Sequence, residues 1–383
     1  MHSPAYAPTS GAGRIPASPG RFGNPYALLF LTSFTMVILG LAMILSASSV
    51  EAYKRYGSSF LFFRRQMVGV GIGLLAMVIL AKMDYRKLRR IAKPLFLLSV
   101  VLLVAVLVPG ISVTRGGSSR WLDLGPVTFQ PSELAKLSLI IFGAHVLEKK
   151  GTAIADAKEM ALPLLPAAGI VGALVIAQPD LGTTILCLGS VFIVLYLAGG
   201  RFKHMGLLAI AGLVGGGILA VSEGYRRARI FSFLNPWSDP LNTGYHIIQA
   251  QIALGSGGWF GVGLGASRQK WSYVPNAHTD FIYAILGEEL GLAGTLSVLL
   301  LFTFILYLGV RIARKAPDRF GFILGGGITG WIGLQALINM GAVSGRLPIT
   351  GVPLPLMSFG GSSLVFTLAA IGILLSIAKR ARA

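Results

Sequence analysis

The stretch VPNAHTDFIYAILGEELG, residues 274–291, leads into an apolar run that continues to residue 310. It carries Asp280, Glu288 and Glu289, although 54% of the 383 residues are hydrophobic and only 12% are charged. A charged side chain in mid-membrane costs at least about 2.5 to 3.5 kcal/mol on insertion scales, so such residues usually line a cavity or take part in chemistry. The stretch therefore indicates a membrane helix that begins beside a polar site.

Apolar runs recur along the whole chain. A spanning helix needs about 20 mostly apolar residues, and the sequence offers ten candidate runs. Between the fifth and sixth runs, Gln178, Pro179 and Asp180 indicate either a break inside the membrane or a true loop. The sequence thus predicts an all-α polytopic membrane protein of about ten transmembrane helices, with a large extracytoplasmic segment between helices 7 and 8. The runs are 27–48, 66–83, 92–109, 133–147, 161–178, 183–199, 205–222, 279–310, 320–343 and 357–378.

The Lys and Arg residues predict the orientation of the chain. With the N terminus in the cytoplasm, the cytoplasmic segments hold 20 basic residues and the outer segments 12. Five of those 12 lie in residues 223–278, and without this segment the ratio is 20 to 7. The positive-inside rule therefore predicts that both termini are cytoplasmic. The predicted parts are a disordered tail rich in Pro, Gly, Ala and Ser (1–26), the membrane domain (27–378) and a short basic tail (379–383).

Positive charge on the outer face departs from this rule. Besides the segment at 223–278, the segment before the fourth span brings Arg115, Arg120 and Lys136 to that face. Attraction to anionic lipid headgroups, worth about 1 kcal/mol per basic residue, and binding of an anionic lipid-linked substrate both explain it, and both stay open. The basic residues are spread over both faces and no nucleic-acid module is visible, so the net charge of +19 does not indicate nucleic acid.

Charged residues within or beside the spans are the first candidate site residues. Asp280 stands at the outer start of the eighth span, where it either lines a site or complements the helix dipole. Glu288 lies about 12 Å deeper and Glu289 on nearly the opposite face from Asp280 in helical geometry, so both are predicted to pair with a buried cation or polar backbone. Glu133 and Lys136 form either a self-neutralising pair or a polar wall beside Asp280, with the lysine available to a phosphate.

The segment GAVSGRLPITGVPLPLMSFGGSSL, residues 341–364, contains three prolines and a Gly-Gly-Ser-Ser turn. It is predicted to be irregular, and irregular backbone at membrane depth survives only where protein or a watery cavity covers it. Such a segment offers amide donors and the hydroxyls of Ser358, Ser362 and Ser363 to a ligand. An ordinary loop is the alternative interpretation.

Four stretches in order carry a resemblance to a known family. The chain resembles the bacterial FtsW/RodA (SEDS) family of shape, elongation, division and sporulation proteins over nearly everything after residue 27, and GVGLGASRQKW with ILGEELG is most similar to the division branch, FtsW. The stretches are SSRWLDLGPVTFQPSELAK (118–136), NPWSDPLNTGYHIIQAQIALGSGGWFGVGLG (235–265), VPNAHTDFIYAILGEELG (274–291) and LPITGVPLPLMSFGGSS (347–363).

The resemblance implies a peptidoglycan glycosyltransferase that polymerises lipid II at the outer face of the bacterial cytoplasmic membrane, at the division septum. The implied partners are a class B penicillin-binding protein that cross-links the glycan, other divisome proteins, and membrane lipid. By motif, Asp280 matches the acidic residue of the family's HTDF sequence and is the implied catalytic residue. The predicted substrate-binding residues are Arg120, Trp121, Glu133, Lys136, His278, Ser362 and Ser363.

The chemistry of these groups predicts an inverting displacement. Asp280 takes the proton of an acceptor hydroxyl as general base, and outer-face cations such as Arg120 or Lys136 stabilise the pyrophosphate leaving group. Five scattered histidines show no metal-ligand spacing, so the sequence predicts no metal held by the protein's own residues. The sequence establishes no cofactor, and a divalent cation such as Mg²⁺ or Mn²⁺ is compatible with the reaction.

Two other classes of function stay open at this stage. A flippase for lipid-linked precursors also needs a polar cavity and outer basic residues, but it should show groups reachable from both leaflets and often repeated halves. A non-catalytic divisome scaffold predicts that helix surfaces matter and that Asp280 does not.

Overall fold

The computed structural model describes residues 24–381 except 116–117, 124–127, 163 and 272. These residues form thirteen α-helices and one small antiparallel sheet in the order β1-β2-β3. The helices are α1 (Pro25–Tyr56), α2 (Leu61–Lys82), α3 (Leu88–Leu107), α4 (Pro131–Glu148), α5 (Ala157–Ala161), α6 (Leu164–Ile176), α7 (Leu181–Leu197), α8 (Phe202–Ser222), α9 (Gly224–Leu234), α10 (Tyr245–Ser256), α11 (Ile282–Arg314), α12 (Arg319–Val343) and α13 (Gly361–Arg380). The strands are β1 (Ser112–Arg115), β2 (Ser118–Asp123) and β3 (Thr128–Phe129).

Each of the ten predicted spans coincides with one helix, namely α1 to α4, α6 to α8 and α11 to α13. The predicted ends differ from the observed ones, most of all in α1, which continues to Tyr56 instead of residue 48. Hydropathy marks only the apolar part of a helix, whereas the turns SASSVEAYKRY continue it with small and polar residues. The predicted tail at 1–26 falls almost wholly outside the described residues and stays a prediction, as do the domain limits.

By length and composition, seven helices in the described part of the chain can cross a membrane: α1, α2, α3, α8, α11, α12 and α13. The other three predicted spans fall short for simple reasons. Helix α4 contains three charged residues, Glu133, Lys136 and Glu148, while α6 and α7 are only 13 and 17 residues long. The protein is an all-α polytopic membrane protein, as predicted.

The short helices α6 and α7 are separated where the sequence indicated a break or a loop. Helix α6 ends at Ile176 and α7 begins at Leu181. Gln178 and Asp180 in the break are buried, and Gln178 Nε2 donates to the carbonyl oxygen of Leu103 at 3.1 Å. Asp180 caps α7 by accepting from the backbone N–H and the hydroxyl of Thr183. Protein atoms therefore cover this irregular backbone.

Helices α2 and α13 pack closely against each other. A Cβ atom added to Gly69 would lie 3.2 Å from the Cα of Gly361, and one on Gly372 would lie 2.8 Å from the Cα of Met77. Small residues let membrane helices approach closely. In contrast, α8 packs mainly along α9 and leaves almost all of its surface exposed.

Helix α11 is interrupted at Gly291, whose φ of 66° and ψ of −162° are not helical. The loop after α10 pairs with the interruption: the N–H groups of Val262 and Gly263 donate to the carbonyls of Glu288 and Glu289 at 3.0 and 3.1 Å. The predicted span at 279–310 is confirmed by α11. The interruption inside it was not predicted, and the backbone bonds lost at Gly291 are replaced by bonds from a distant loop.

Candidate active site

Asp280 lies in a turn just before α11, against the end of α12. Asn339 of α12 holds the turn in place, because its Nδ2 donates to the carbonyl oxygens of Asp280 and Val352, each at 2.8 Å. The Asp280 side chain is half-buried and faces the segment after α12, where a Cβ atom on Gly351 would lie 3.6 Å from its Oδ2. A carboxylate before a helix N terminus also complements the helix dipole, so this position suits both of the predicted roles.

The segment between α12 and α13, residues 344–360, contains no regular helix, as predicted. Ser358 fastens it to the turn before α11: its hydroxyl donates to the carbonyl of Thr279 at 2.6 Å and accepts from the N–H of Leu354 at 2.8 Å. The N–H of Phe359 donates to the carbonyl of His278 at 2.9 Å. The two irregular segments therefore form one hydrogen-bonded unit around Asp280.

A glutamine on α2 forms hydrogen bonds with the segment between α12 and α13. Gln66 is buried; its Nε2 donates to the carbonyl of Ser358 at 3.3 Å and its Oε1 accepts from the N–H of Gly360 at 3.2 Å. Sequence reasoning missed Gln66. A polar residue in an apolar span was the available signal, but its partners lie about 290 residues away along the chain.

The predicted Arg120 and Trp121 lie on β2. Arg120 contacts the residues between α6 and α7. Its guanidinium donates to the carbonyls of Gln178 and Pro179 and lies 3.6 Å from Asp180 Oδ2. Its side chain keeps 22% of its surface exposed. Trp121 is half-buried and pairs with Val113 of β1. The sheet therefore presents a guanidinium that stays within reach of solvent.

Asp280 lies ahead of the spanning helix α11, and charged residues from several segments of the chain influence its pKa. Burial raises the pKa of Asp280 from 3.8 to about 6. Arg229 of α9, His278 and Arg120 act in the opposite direction, while the negative charge of Asp180 adds to the increase in pKa. The charges of Arg229 and Arg120 therefore act on the Asp280 carboxylate, and a shared role of Asp280 and Arg120 in binding substrate stays a prediction.

The predicted Glu133–Lys136 pair is present and enclosed. Lys136 Nζ lies 2.9 Å from Glu133 Oε1 and also donates to Gln335 Oε1 of α12 at 3.1 Å. It lies 5.1 Å from the ring centroid of Trp331, within cation–π distance. Both charged side chains are at most 2% exposed. In this structure Lys136 joins α4 to α12 through Gln335 and Trp331. Its contact with a phosphate stays a prediction.

The other predicted site residues hold the loops together. His278 Nδ1 lies 3.3 Å from Glu51 Oε2 of α1, and the ring packs on Phe62 and Phe359. The Ser362 hydroxyl joins α13 to β3, accepting from the N–H of Gln130 and donating to the carbonyl of Thr128. Ser363 is buried in the first turn of α13. Their substrate contacts stay predictions.

The two glutamates of α11 have the structural partners that were predicted. Glu288 accepts from the Ser267 hydroxyl at 2.5 Å and from the N–H of Arg268 at 2.9 Å. Glu289 accepts from the Ser46 hydroxyl at 2.6 Å and lies 3.4 Å from Lys270 Nζ. These contacts confirm pairing with polar backbone for one residue and with a buried cation for the other.

A small cavity of about 10 Å³ adjoins Asp280. It has the space of about one water molecule. Two of its polar residues, Asn339 and Thr350, were not among the predicted site residues. Asn339 was detectable as a polar residue four positions after Gln335 on the same face of an apolar span. The lining residues are Asp280, Phe281, Asn339, Ala342, Val343, Ile349, Thr350, Gly351 and Val352.

The chain matches a known protein family along almost its whole length. The family model for FtsW, RodA and SpoVE, described as "Cell cycle protein", matches residues 26–383. The chain therefore belongs to the FtsW/RodA/SpoVE family of cell cycle proteins, which confirms the resemblance seen in the motifs.

Individual relatives are similar over most of the chain. The protein is 42% identical to stage V sporulation protein E of Bacillus subtilis (strain 168) over 94% of this chain and 98% of that protein. It is 39% identical to "Probable peptidoglycan glycosyltransferase FtsW" of Geobacter sp. (strain M18) over 93% of this chain and 97% of that protein. Because both branches occur among the relatives, the division branch stays a prediction.

Solved structures show the same fold. A chain from "Structural coordination of polymerization and crosslinking by a peptidoglycan synthase complex" has a TM-score of 0.77 and 32% identity, covering 92% of this chain and 97% of that one. The crystal structure of Thermus thermophilus rod shape determining protein RodA has a TM-score of 0.69 and 31% identity, covering 92% and 95%.

Proposed function

We propose that the protein is a peptidoglycan glycosyltransferase that polymerises lipid II into β-1,4-linked glycan strands at the outer face of the cytoplasmic membrane during cell division. The observation that carries the proposal is one half-buried carboxylate, Asp280, in an electrostatic environment shared with Arg120 and Arg229. An acid–base group beside cations suits transfer of a sugar from a pyrophosphate. Relatives that are called probable peptidoglycan glycosyltransferases support the reaction class.

Asp280 is the general base in this proposal. The 4-hydroxyl of an acceptor N-acetylglucosamine attacks the anomeric carbon of the donor, and its proton passes to the Asp280 carboxylate. The bond between that carbon and the pyrophosphate oxygen breaks, and undecaprenyl pyrophosphate leaves with the electron pair. A carboxylate with a raised pKa is a stronger base than an ordinary one. One displacement inverts the anomeric centre and turns an α-linked donor into a β-linked product.

Arg120 is the best placed of the predicted residues to stabilise the departing pyrophosphate. Its guanidinium keeps part of its surface exposed, and it holds backbone carbonyls that an anionic ligand can replace. Lys136 is enclosed by Glu133 and Gln335, so its proposed role is to support the wall behind the site. Trp121, His278, Ser362 and Ser363 are proposed to shape the substrate groove through the loops they hold.

The proposed setting follows from the same resemblance and from the charge distribution. We propose that both termini lie in the cytoplasm and that the protein acts at the division septum with a class B penicillin-binding protein, other divisome proteins and membrane lipid. One of the similar solved chains comes from a peptidoglycan synthase complex, which supports a cross-linking partner.

Polymerisation of labelled lipid II by the purified full chain tests the proposed function. The chain is assayed alone and with its penicillin-binding partner, whose transpeptidase is blocked, and lipid II transport is measured in parallel in vesicles. The proposal expects glycan polymer that disappears with Asp280→Asn. Transport without polymer would make the protein a flippase. If the protein showed neither polymerisation nor transport, the scaffold function would remain.

A further inference from the structure

The cavity beside Asp280 contains two polar atoms that the mechanism above does not use. Asn339 Oδ1 and Thr350 Oγ1 are both buried, and neither has a hydrogen-bond partner among the residues that the structure describes. Asn339 is only 3% exposed, and its other amide atom is fully occupied by the carbonyls of Asp280 and Val352. Buried polar groups in native proteins are nearly always paired, and of the described residues with an unpaired buried atom only these two line the cavity beside Asp280.

The size of the cavity limits what can fill it. Its volume of about 10 Å³ suits one oxygen-sized group, either a water molecule or a single hydroxyl of a larger ligand. A ligand hydroxyl that reproduces the hydrogen bonds of a displaced water keeps them at little cost. Mg²⁺ usually keeps several of its own waters, which need more space than this.

Thr350 is held at this position by the start of α7. A Cβ atom on Gly182 would lie 2.5 Å from the Thr350 carbonyl oxygen and 3.1 Å from its Cβ, so the two backbones are in close contact. The neighbouring Gly351 has a φ of 73°, which turns the chain toward Asp280. The backbone that carries Thr350 and Gly351 is therefore held between the start of α7 and the Asp280 carboxylate.

We propose that this cavity is the hydroxyl subsite for the acceptor sugar, with Thr350 and Asn339 as its recognition residues; the proposal rests on the function proposed above. The attacking hydroxyl donates to Asp280 and accepts from the Thr350 hydroxyl. The cavity holds this one hydroxyl. Asn339 Oδ1 can only accept, so in this proposal it accepts from a neighbouring donor of the same sugar that stays at the rim of the cavity. The subsite thus selects a sugar with two adjacent donors and aligns its oxygen for attack.

The matched pair Thr350→Val and Thr350→Ser tests the subsite. Valine keeps the shape of threonine but lacks the hydroxyl, whereas serine keeps the hydroxyl. The probe is the disaccharide GlcNAc-β-1,4-MurNAc, which has the acceptor hydroxyl and no pyrophosphate. Its inhibition constant against lipid II polymerisation is measured in the active full chain, and its binding by saturation-transfer NMR in an Asp280→Asn background. Thr350→Val is expected to weaken both the inhibition by the disaccharide and its binding at least tenfold. Thr350→Ser is expected to weaken each of them less than threefold.

Wild-type inhibition and binding in the Thr350→Val chain would overturn the subsite while leaving the proposed glycosyltransferase intact. Restoration of Thr350→Val activity by raised Mg²⁺ or Mn²⁺ would overturn it in favour of a cation site. Normal polymerisation by Asp280→Asn would instead contradict the assignment of the base, whatever the Thr350 variants show. If Thr350→Val lowers the melting temperature, Thr350→Ala is judged by the same two measurements.

Discussion

Asn339 and Asp280 are 59 residues apart in sequence, and the Asn339 side-chain amide donates to the Asp280 backbone carbonyl at 2.8 Å. The same nitrogen donates to the carbonyl of Val352 at 2.8 Å. One side chain of α12 therefore fixes the turn before α11 relative to the segment after α12, and the carboxylate lies between them.

Replacing Asn339 by Leu is expected to destabilise the protein by about 1–3 kcal/mol, because two carbonyls of the site lose their shared donor. Thermal unfolding of the purified chain measures this loss. The exposed Asn235 provides the control, and Asn235→Leu is expected to change stability by about 0.5 kcal/mol or less. Equal melting temperatures for the two variants would mean that the amide does not hold the turn.

The polymerisation rate is expected to fall as the pH drops through about 6, because the base is active only when deprotonated and burial raises the pKa of Asp280 to about 6. An ordinary aspartate, with a pKa of 3.8, would keep the rate constant down to about pH 4. The pH profile of kcat/KM measures the acidic limb. Arg229 lowers the pKa of Asp280, so Arg229→Gln should move that limb to higher pH. An unchanged limb would mean that Arg229 does not influence the pKa of the base.

Lys270→Met is expected to destabilise the fold by about 3–5 kcal/mol, because it leaves Glu289 buried without its cation. The double variant Lys270→Met/Glu289→Met should recover part of the loss, since no lone charge is then buried. Thermal melts of the three chains provide the comparison, with Arg268→Met at an exposed position as control. A single variant as stable as the control would show that the ion pair contributes nothing.

Cysteine labelling tests the proposed orientation. The only native cysteine, Cys187, is buried, so it gives little background. Lys87→Cys and Ser238→Cys both place a thiol at exposed positions. In intact cells a membrane-impermeant maleimide should label residue 238 and leave residue 87 unlabelled until the cells are lysed. The reverse pattern would place the termini outside.

Hydropathy was sufficient to predict ten helices, because an apolar run depends on local composition, and seven of them are long and apolar enough to cross a membrane. The break or loop at Gln178 and Asp180 was predicted for the same reason, since polar residues and a proline interrupt an apolar run. The sheet β1-β2-β3 and the interruption at Gly291 were not predicted. The interruption at Gly291 depends on hydrogen bonds from a distant loop, which no local pattern specifies. The pairing of β1 with β2 had a local signal that was missed, because only Gly116 and Gly117 separate the two strands.

The candidate site was predictable where a charged residue stood against apolar surroundings. Asp280 and the Glu133–Lys136 pair stood out in this way. Gln66, Asn339 and Thr350 did not, because uncharged polar residues are tolerated in spans and loops for many reasons. Their importance became visible only once α2, α12 and the segment at 344–360 were seen to surround one carboxylate.

The most direct test of the account compares Asp280→Asn with wild type in lipid II polymerisation, using Glu223→Gln, an exposed carboxylate of the same outer segment, as the matched control. All three chains must show the same melting temperature and the same binding to the penicillin-binding partner. The account predicts polymer from wild type and Glu223→Gln, and a rate at least about 100-fold lower from Asp280→Asn. Polymer at the wild-type rate from Asp280→Asn would contradict it.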